Sequence, residues 1–322
     1  MKRSEKVIFL LVVVVVAFFA REVFPSIVVA PQSATADQSL SSATTSSAPL
    51  VALPQTTAVN NPSNVEPTMP QVETVSPTST SLPKFASKAY MVADLTTGSV
   101  LLGSNTANRW PTASLTKLMT ATIIFDSVPT STQITITPQM FSADPTEQNL
   151  VVGGTYTVED LLHLLLMPSS NVAAEALADY VGHATFMAEM NARAQSWGMK
   201  DTYFDDPSGI SAANESTAND LLILAQHVYN DYPGIFEITN TPVTTITELN
   251  SGKAITVHSI NIFAGEPVFV GGKTGNTPQA GGNLLSIFTY QGKPVFITVL
   301  GAPALPFQDT SMLFTWFKTN YK

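Results

Sequence analysis

The chain has 322 residues, 22 prolines, no cysteine and a formal charge of -9, a length that allows one large or two ordinary domains. Without cysteine there is no disulfide, no thiolate nucleophile and no cysteine-ligated metal. The acidic balance, with no basic stripe along the chain, excludes a nucleic-acid binder, which needs such a stripe to displace counterions from phosphates.

Lys2, Arg3 and Lys6 precede an unbroken apolar run from Val7 to Ala20. As a helix this run spans about 21 Å, short of the ~30 Å hydrocarbon core, and so suits a signal-peptide core. A cleavage site is hard to find: Ala34-Thr35-Ala36 lies far from the run, and Val28-Val29-Ala30 is followed by Pro31. If Arg21 and Glu22 pair or snorkel, the apolar stretch extends to Ala30 and can span. Residues 1–30 are therefore read as a signal peptide or an N-terminal membrane anchor, with the anchor favoured. The cations keep the N-terminus cytoplasmic and the remainder is exported. Residues 31–85 are rich in Ser, Thr, Ala and Pro with little charge. Such a segment cannot bury enough apolar surface to offset its ordering entropy, and is expected to be a disordered linker.

A folded domain is expected over 86–322. The five cations and five anions that precede it cancel, so it carries the whole charge. Tyr90 to Leu95, Thr96-Thr97-Gly98 and Ser99 to Leu102 read as a β-hairpin turning at Gly98. A helix holding Ser114 and Lys117 should run to about Phe125, followed by a short strand near Ile134 and a polar loop from Ser142 to Asn149. Thr157 and Thr217 look like N-caps, each with Asp three residues on. Pro168 stops the helix that ends near Met167, and Ser169-Ser170-Asn171 forms a polar turn before the helix from Val172 to Val181. A helix from Thr185 to Trp197 is closed by Gly198. The tail predicts three strands, Val268 to Gly275, Leu284 to Tyr290 and Pro294 to Leu300, then a helix from Thr310. The simplest packing is one antiparallel sheet built from both ends of the domain, with the central helices as a separate layer.

Within this frame three stretches carry chemistry. Ser114 and Lys117 lie three apart at the opening of a helix, so a hydroxyl nucleophile and an amine share a face. The amine can act as a base only if its pKa falls from the usual ~10.4. Ser169 and Asn171 sit in a turn where short polar side chains can project into a cleft. Lys273-Thr274-Gly275 ends a strand whose glycines at 271, 272 and 275 allow a ligand backbone to approach. Either Ser-x-x-Lys or Ser-x-Asn alone is weak, because Ser81-Leu82-Pro83-Lys84 and Ser259-Ile260-Asn261 fit the same spacings. Pro83 argues against a helix at the first of these. His163, His183, His227 and His258 lack ligand spacing and are read as structural or surface residues. No metal or cofactor is expected.

The three stretches, in this order, match the motif set of penicillin-binding proteins and class A β-lactamases. Together with Ala93-Asp94-Leu95, Pro111 to Thr120, Asp160 to Ala178, Met190-Asn191, Ser208-Gly209-Ile210 and Ala280-Gly281-Gly282-Asn283, they make the chain resemble the low-molecular-mass D-alanyl-D-alanine carboxypeptidases, the S11 serine peptidases. The resemblance implies an α+β fold of the β-lactamase/transpeptidase type, a five-stranded antiparallel sheet with a helical layer. It implies a serine-type carboxypeptidase acting on peptidoglycan stem peptides that end in D-Ala-D-Ala, with β-lactams as covalent inhibitors. The working place would be the outer face of a bacterial cytoplasmic membrane or the cell-wall space.

In that reading Ser114 is the acylated nucleophile, Lys117 its base, and Ser169 the proton relay to the leaving amine. Asn171 holds Lys117 and a substrate amide, while Lys273 and Thr274, with Gly275, receive the substrate's terminal carboxylate. The backbone N–H groups of Ser114 and Asn276 form the oxyanion hole. A cationic Lys273 would lower the Lys117 pKa by like-charge repulsion. Ser170 replaces the glycine the family often has there. The rival readings are a class A-like β-lactamase, a murein endopeptidase, or a penicillin-sensing receptor or non-catalytic peptidoglycan-binding domain. The β-lactamase needs a Glu-x-x-Leu-Asn context, which Glu248-Leu249-Asn250 lacks.

Overall fold

The computed structural model describes Leu82 and residues 84–321. The N-terminal apolar run, most of the linker and Ser81 lie outside those residues. Strand β1 (Ala89–Asp94) turns back on β2 (Val100–Ser104), as the turn at Gly98 predicts. Asp94 Oδ1 accepts the Thr97 amide at 2.9 Å, and Gly98 closes the turn at φ +73°, where a Cβ would be strained.

After the short strand β3 (Trp110–Pro111) comes a 3-10 turn, Ala113–Thr116, and only then helix α1 (Lys117–Ser127). The sequence predicts one helix here; the structure puts the serine on the tighter turn and the lysine at the start of the α-helix. Strands β4 (Gln133–Thr135) and β5 (Thr155–Thr157) pair across the intervening loop. Helix α2 (Val158–Leu166) is capped by Thr157 Oγ1, which accepts the Asp160 amide at 3.0 Å. Helices α3 (Asn171–Val181) and α4 (His183–Ser196) follow. Beyond β6 (Glu215–Ser216), Thr217 caps α5 (Ala218–Asp231) through the Asp220 amide at 3.1 Å.

Besides the short strands β3, β5 and β6, three longer elements have no counterpart in the sequence reading. Helix α6 (Pro233–Asn240) starts on a proline, which is tolerated at a first turn because its missing N–H would have no partner there. Strands β7 (Val243–Glu248) and β8 (Lys253–His258) then form a hairpin. Few of its side chains are buried, chiefly Ile246, Glu248 and Val257, so the alternation of hydrophobicity that marks a strand is faint.

The tail supplies β9 (Phe269–Thr277), β10 (Gly281–Tyr290), β11 (Lys293–Ala302) and helix α7 (Phe307–Asn320). The five-stranded antiparallel sheet has the order β2-β1-β11-β10-β9, so both ends of the domain meet where β1 pairs with β11, Met91 opposite Thr298. Period-two alternation divides the core between the two faces. Met91, Ala93, Leu285, Ile287, Phe296 and Leu300 pack with the central helices. Val92, Val295, Ile297 and Val299 pack under α7 with Leu313, Phe314, Trp316 and Phe317. Each fully buried side chain of this size contributes about 1.5–3 kcal/mol, which is why the C-terminal aromatics belong to the core. Strand β9 is left at the sheet edge, facing the 3-10 turn and α6.

Candidate active site

The nucleophile turn is pinned from both layers. Asn283 on β10 donates through Nδ2 to the carbonyls of Pro111 (2.8 Å) and Thr112 (3.1 Å), while its Oδ1 accepts the Gly301 amide at 2.9 Å. On the other side the Thr112 amide donates to Asn214 O at 2.8 Å. Ala113 takes φ +48°, an uncommon conformation for a residue with a side chain. It is held there by close neighbours. A Cβ on Gly209 would lie 1.9 Å from Ala113 O, and one on Gly275 would lie 2.9 Å from Thr112 O and 3.1 Å from Ser114 N.

Those contacts change the reading of the strand's glycines. The sequence predicts that they leave room for a ligand; instead the protein fills the space. A Cβ on Gly271 would meet Phe236 of α6 at 2.5 Å, one on Gly272 would meet Leu285 O at 2.2 Å, and the space beside Gly275 holds the nucleophile turn. Missing side chains here let β9 approach its own neighbours.

On a 3-10 turn positions i and i+3 eclipse, and Lys117 Nζ accordingly reaches Ser114 Oγ at 2.9 Å. Lys117 is fully buried. Its Nζ also donates to Asn171 Oδ1 at 2.8 Å and to the backbone carbonyl of Ser208 at 2.6 Å. In the neutral amine two hydrogens serve these two acceptors and the lone pair faces the Ser114 hydroxyl. Burial pushes the Lys117 ammonium down to about 7, against the carboxylates of Asp206, Glu175 and Asp144, which raise it.

Lys273 is as deeply buried, and its Nζ donates to Ser169 Oγ at 2.8 Å and to Thr274 O at 3.0 Å. Burial first, and then repulsion from Lys117, push it well below the usual lysine range. Burial is the first cause at both lysines, and the mutual repulsion expected between them adds to it.

Ser114, Lys117 and Asn171 thus form one bonded group and Ser169 and Lys273 a second, the two meeting through the 169–171 turn and the repulsion between the lysines, while Thr274, Gly275 and Asn276 follow along the edge strand. Two contributors are not in the motif reading. The first is the Ser208 carbonyl on Lys117. The second is Asp206, which builds the loop presenting that carbonyl. Its Oδ1 accepts the Ser208 amide and hydroxyl, both at 2.7 Å, and the Gly209 amide at 2.6 Å. Its Oδ2 accepts the Ser211 amide at 2.6 Å and Asn214 Nδ2 at 2.8 Å. Burial pushes this carboxyl up, but bonds from the Ser211 amide, the Ser208 hydroxyl and the Gly209 and Ser208 amides together hold it below the usual range. The string Asp206-Pro207-Ser208-Gly209 is a turn signature; nothing in it says that a backbone carbonyl points at a lysine.

The remaining polar groups have other work. Glu248 accepts the Thr155, Asn250 and Ser251 amides and the Ser251 hydroxyl, tying the β7–β8 turn to β5. His163 contacts the Glu159 carbonyl, His183 pairs with Glu175, and His227 stacks on Trp197. Among the described residues there is no cluster of His, Asp or Glu that could hold a metal ion, and no helix is long and apolar enough to cross a membrane.

A family model described as D-alanyl-D-alanine carboxypeptidase, peptidase S11, matches residues 76–304. A D-alanyl-D-alanine endopeptidase of Escherichia coli K12 is 32% identical over 261 residues, 77% of this chain and 82% of the relative. One from Pseudomonas aeruginosa is 34% identical over 249 residues, 74% of this chain and 79% of the relative. The solved structure of the Streptomyces K15 DD-transpeptidase is similar with a TM-score of 0.68 at 27% identity, covering 74% of this chain and 100% of that one.

Proposed function

The chain belongs to the D-alanyl-D-alanine carboxypeptidase family of S11 serine peptidases, and from that premise we propose that Ser114, Lys117 and Ser169 carry the family's acyl transfer. It is a serine hydrolase acting on D-Ala-D-Ala peptides of the cell wall. The observation that carries the assignment of residues is the buried Lys117 Nζ, held 2.9 Å from Ser114 Oγ with its other bonds on Asn171 and Ser208.

Neutral Lys117 takes the proton from Ser114 as Oγ bonds to the carbonyl carbon between the two D-alanines. The negative charge that develops on the carbonyl oxygen is met by the amides of Ser114 and Asn276; the close backing of Gly275 on Ser114 N supports this. Ser169, bonded to Lys273 at 2.8 Å, passes a proton to the leaving nitrogen and recovers one from the two lysines, so that the proton Lys117 took from Ser114 is in net terms the one that leaves with D-alanine as the C–N bond breaks. Water then hydrolyses the ester and regenerates Ser114. Lys273 and Thr274 receive the terminal carboxylate, Asn171 meets a substrate amide, and the outer edge of β9 beyond Gly272, whose own amide is taken by Thr239, pairs with the extended peptide.

A second reading, cleavage of cross-linked stem peptides, is favoured by the two endopeptidases among the relatives. A β-lactamase is disfavoured because the carboxylate of Glu248 is engaged in a turn. Residues 1–30 serve as membrane anchor or signal, 31–85 as tether and 86–322 as the catalytic domain on the outer side of the membrane. The cationic start of the apolar run supports this reading, together with a substrate that lies in the wall.

The test is to incubate the purified protein with a diacyl-Lys-D-Ala-D-Ala peptide, a cross-linked muropeptide dimer and a fluorescent penicillin. Release of D-alanine and a long-lived penicilloyl adduct, both abolished in Ser114→Ala, are expected. Cleavage of the dimer alone would make the enzyme an endopeptidase, and rapid turnover of penicillin a β-lactamase. An adduct without any peptide cleavage would make it a receptor.

A further inference from the structure

The middle residue of the Ser169-Ser170-Asn171 turn takes no part in the reaction above, yet it is bonded to a carboxylate from a separate loop. Ser170, only 5% exposed, accepts the Ala173 amide on Oγ at 3.1 Å and so caps α3. Its own hydrogen goes to Glu147 Oε2. The other oxygen of Glu147 collects the amides of Gln148 and Asn149 at 2.8 and 2.7 Å and Asn149 Nδ2 at 3.1 Å. Both oxygens are thus committed, one to the loop around 144–149 and one to the turn.

The turn needs such an anchor. Ser169 lies at φ +69°, a conformation strained for a non-glycine residue, which persists only where its surroundings over-determine it. Before it stands Pro168, with a fixed φ and no N–H. After it the Ser170 amide donates to Leu164 O at 2.9 Å, and the Ser170 hydroxyl makes the contacts described. In this conformation the Ser169 hydroxyl lies 2.8 Å from Lys273 Nζ. A bond from Glu147 to the adjacent residue therefore acts directly on where that hydroxyl points.

We propose that Glu147 is a positioning residue for acyl transfer: by holding Ser170 it keeps Ser169 aimed at Lys273 and, during reaction, at the departing nitrogen. The proposal rests on Ser169 acting as the proton relay described above. It gives Ser170 a use in this chain that a glycine at the same place could not have, since only a side chain can reach the loop.

Stopped-flow acylation by a fluorescent penicillin, counted per acylatable site, separates noncovalent affinity from the acylation rate constant; peptide hydrolysis gives kcat and KM. Glu147→Ala and Ser170→Ala should each slow acylation and lower kcat by about 10- to 100-fold, the usual consequence of a displaced catalytic group, with KM nearly unchanged. The double variant should be no slower than the slower single one, because both remove the same link. Glu147→Gln should retain most of the rate, since its amide can donate to Ser170 Oγ. Glu147→Asp supplies a milder break should alanine loosen the loop. Single variants with the wild-type rate constant, even with a lowered Tm, would reduce the link to a structural one and overturn the proposal, as would losses that multiply in the double variant. A Ser114→Ala protein that still labelled would instead sink the underlying assignment. A dead Ser114→Ala beside a normal Glu147→Ala would remove the Glu147 link alone.

Discussion

A lysine that serves as a base must have lost its proton, and the depth of Lys117 sets the pH at which it does. With the ordinary lysine value of 10.5, only about one Lys117 in a thousand would be neutral at pH 7.5. With the value of about 7 that burial imposes, about three-quarters are. The burial is thus worth nearly a thousandfold in competent enzyme. Acylation of Ser114, followed by stopped flow from pH 5 to 9, should rise tenfold per pH unit on the acid side and level off near pH 7. The limb should move little with salt, because the group is buried and poorly screened. Lys117→Arg preserves a cation that cannot deprotonate and should lower the rate about 10²- to 10⁴-fold without restoring it at high pH. On stability the sign is the reverse of a salt-bridged lysine. The folded state binds fewer protons than the unfolded one between about 7 and 10.5, so stability should climb with pH across that window. A rate profile with its limb near pH 10, a flat profile, or an active Lys117→Arg would refute the role of Lys117 as base.

Three further outcomes follow from the same geometry. Gly209→Ala places a Cβ 1.9 Å from Ala113 O at φ +86°. The backbone strain alone costs about 1–3 kcal/mol, so Tm should fall by calorimetry and penicillin labelling should disappear with it. Asp206→Asn removes a negative charge that raises the Lys117 pKa, so the acid limb of the rate profile should move below pH 7. Tm should drop as well, because an amide nitrogen would face the Ser211 amide or its neighbours. Glu248 is lowered to about 2 from an ordinary 4.5, chiefly by the Ser251 hydroxyl and the Thr155 and Asn250 amides. Its contribution is complete above about 4.5 and lost as pH falls toward 2. Glu248→Gln should therefore flatten the loss of Tm between pH 5 and 2 while leaving acylation at pH 7.5 unchanged.

What could be read in the chain, and what could not, divides by the range of the interaction. The hairpin at Gly98, the caps at Thr157 and Thr217 and the three tail strands are local signals of turn chemistry and period, and the structure has them all. That both ends of the domain share one sheet followed from the need to bury two apolar strand sets, whereas the pairing of β1 with β11 is known only from the structure. The mostly exposed hairpin β7–β8 was missed because exposure erases the contrast on which alternation depends. At the site, the match of three motifs in order to a known family singled out Ser114, Lys117, Ser169, Asn171 and Lys273, which spacing alone could not separate from Ser81 and Ser259, and the structure brings these five into one region. The electrostatics were legible only in part: two cations suggested repulsion, which the fold does bring to bear, but burial, the larger cause at both lysines, is a property of the whole fold. The Ser208 carbonyl was invisible for a related reason: every residue has one, and only a folded loop says which way it points.

Because Gly209 backs onto the nucleophile turn from the helical side and Gly275 from the sheet edge, Ser114 reacts only while both sides are in place. A covalent label on this serine is therefore a census of whole, native molecules, more demanding than any spectroscopic signal of helix or strand content. In heated, diluted or partly denatured samples, the fraction of chains that accept penicillin should follow the loss of contact between the layers before either layer melts. The same two contacts that build the nucleophile turn give the protein a built-in gauge of its own integrity.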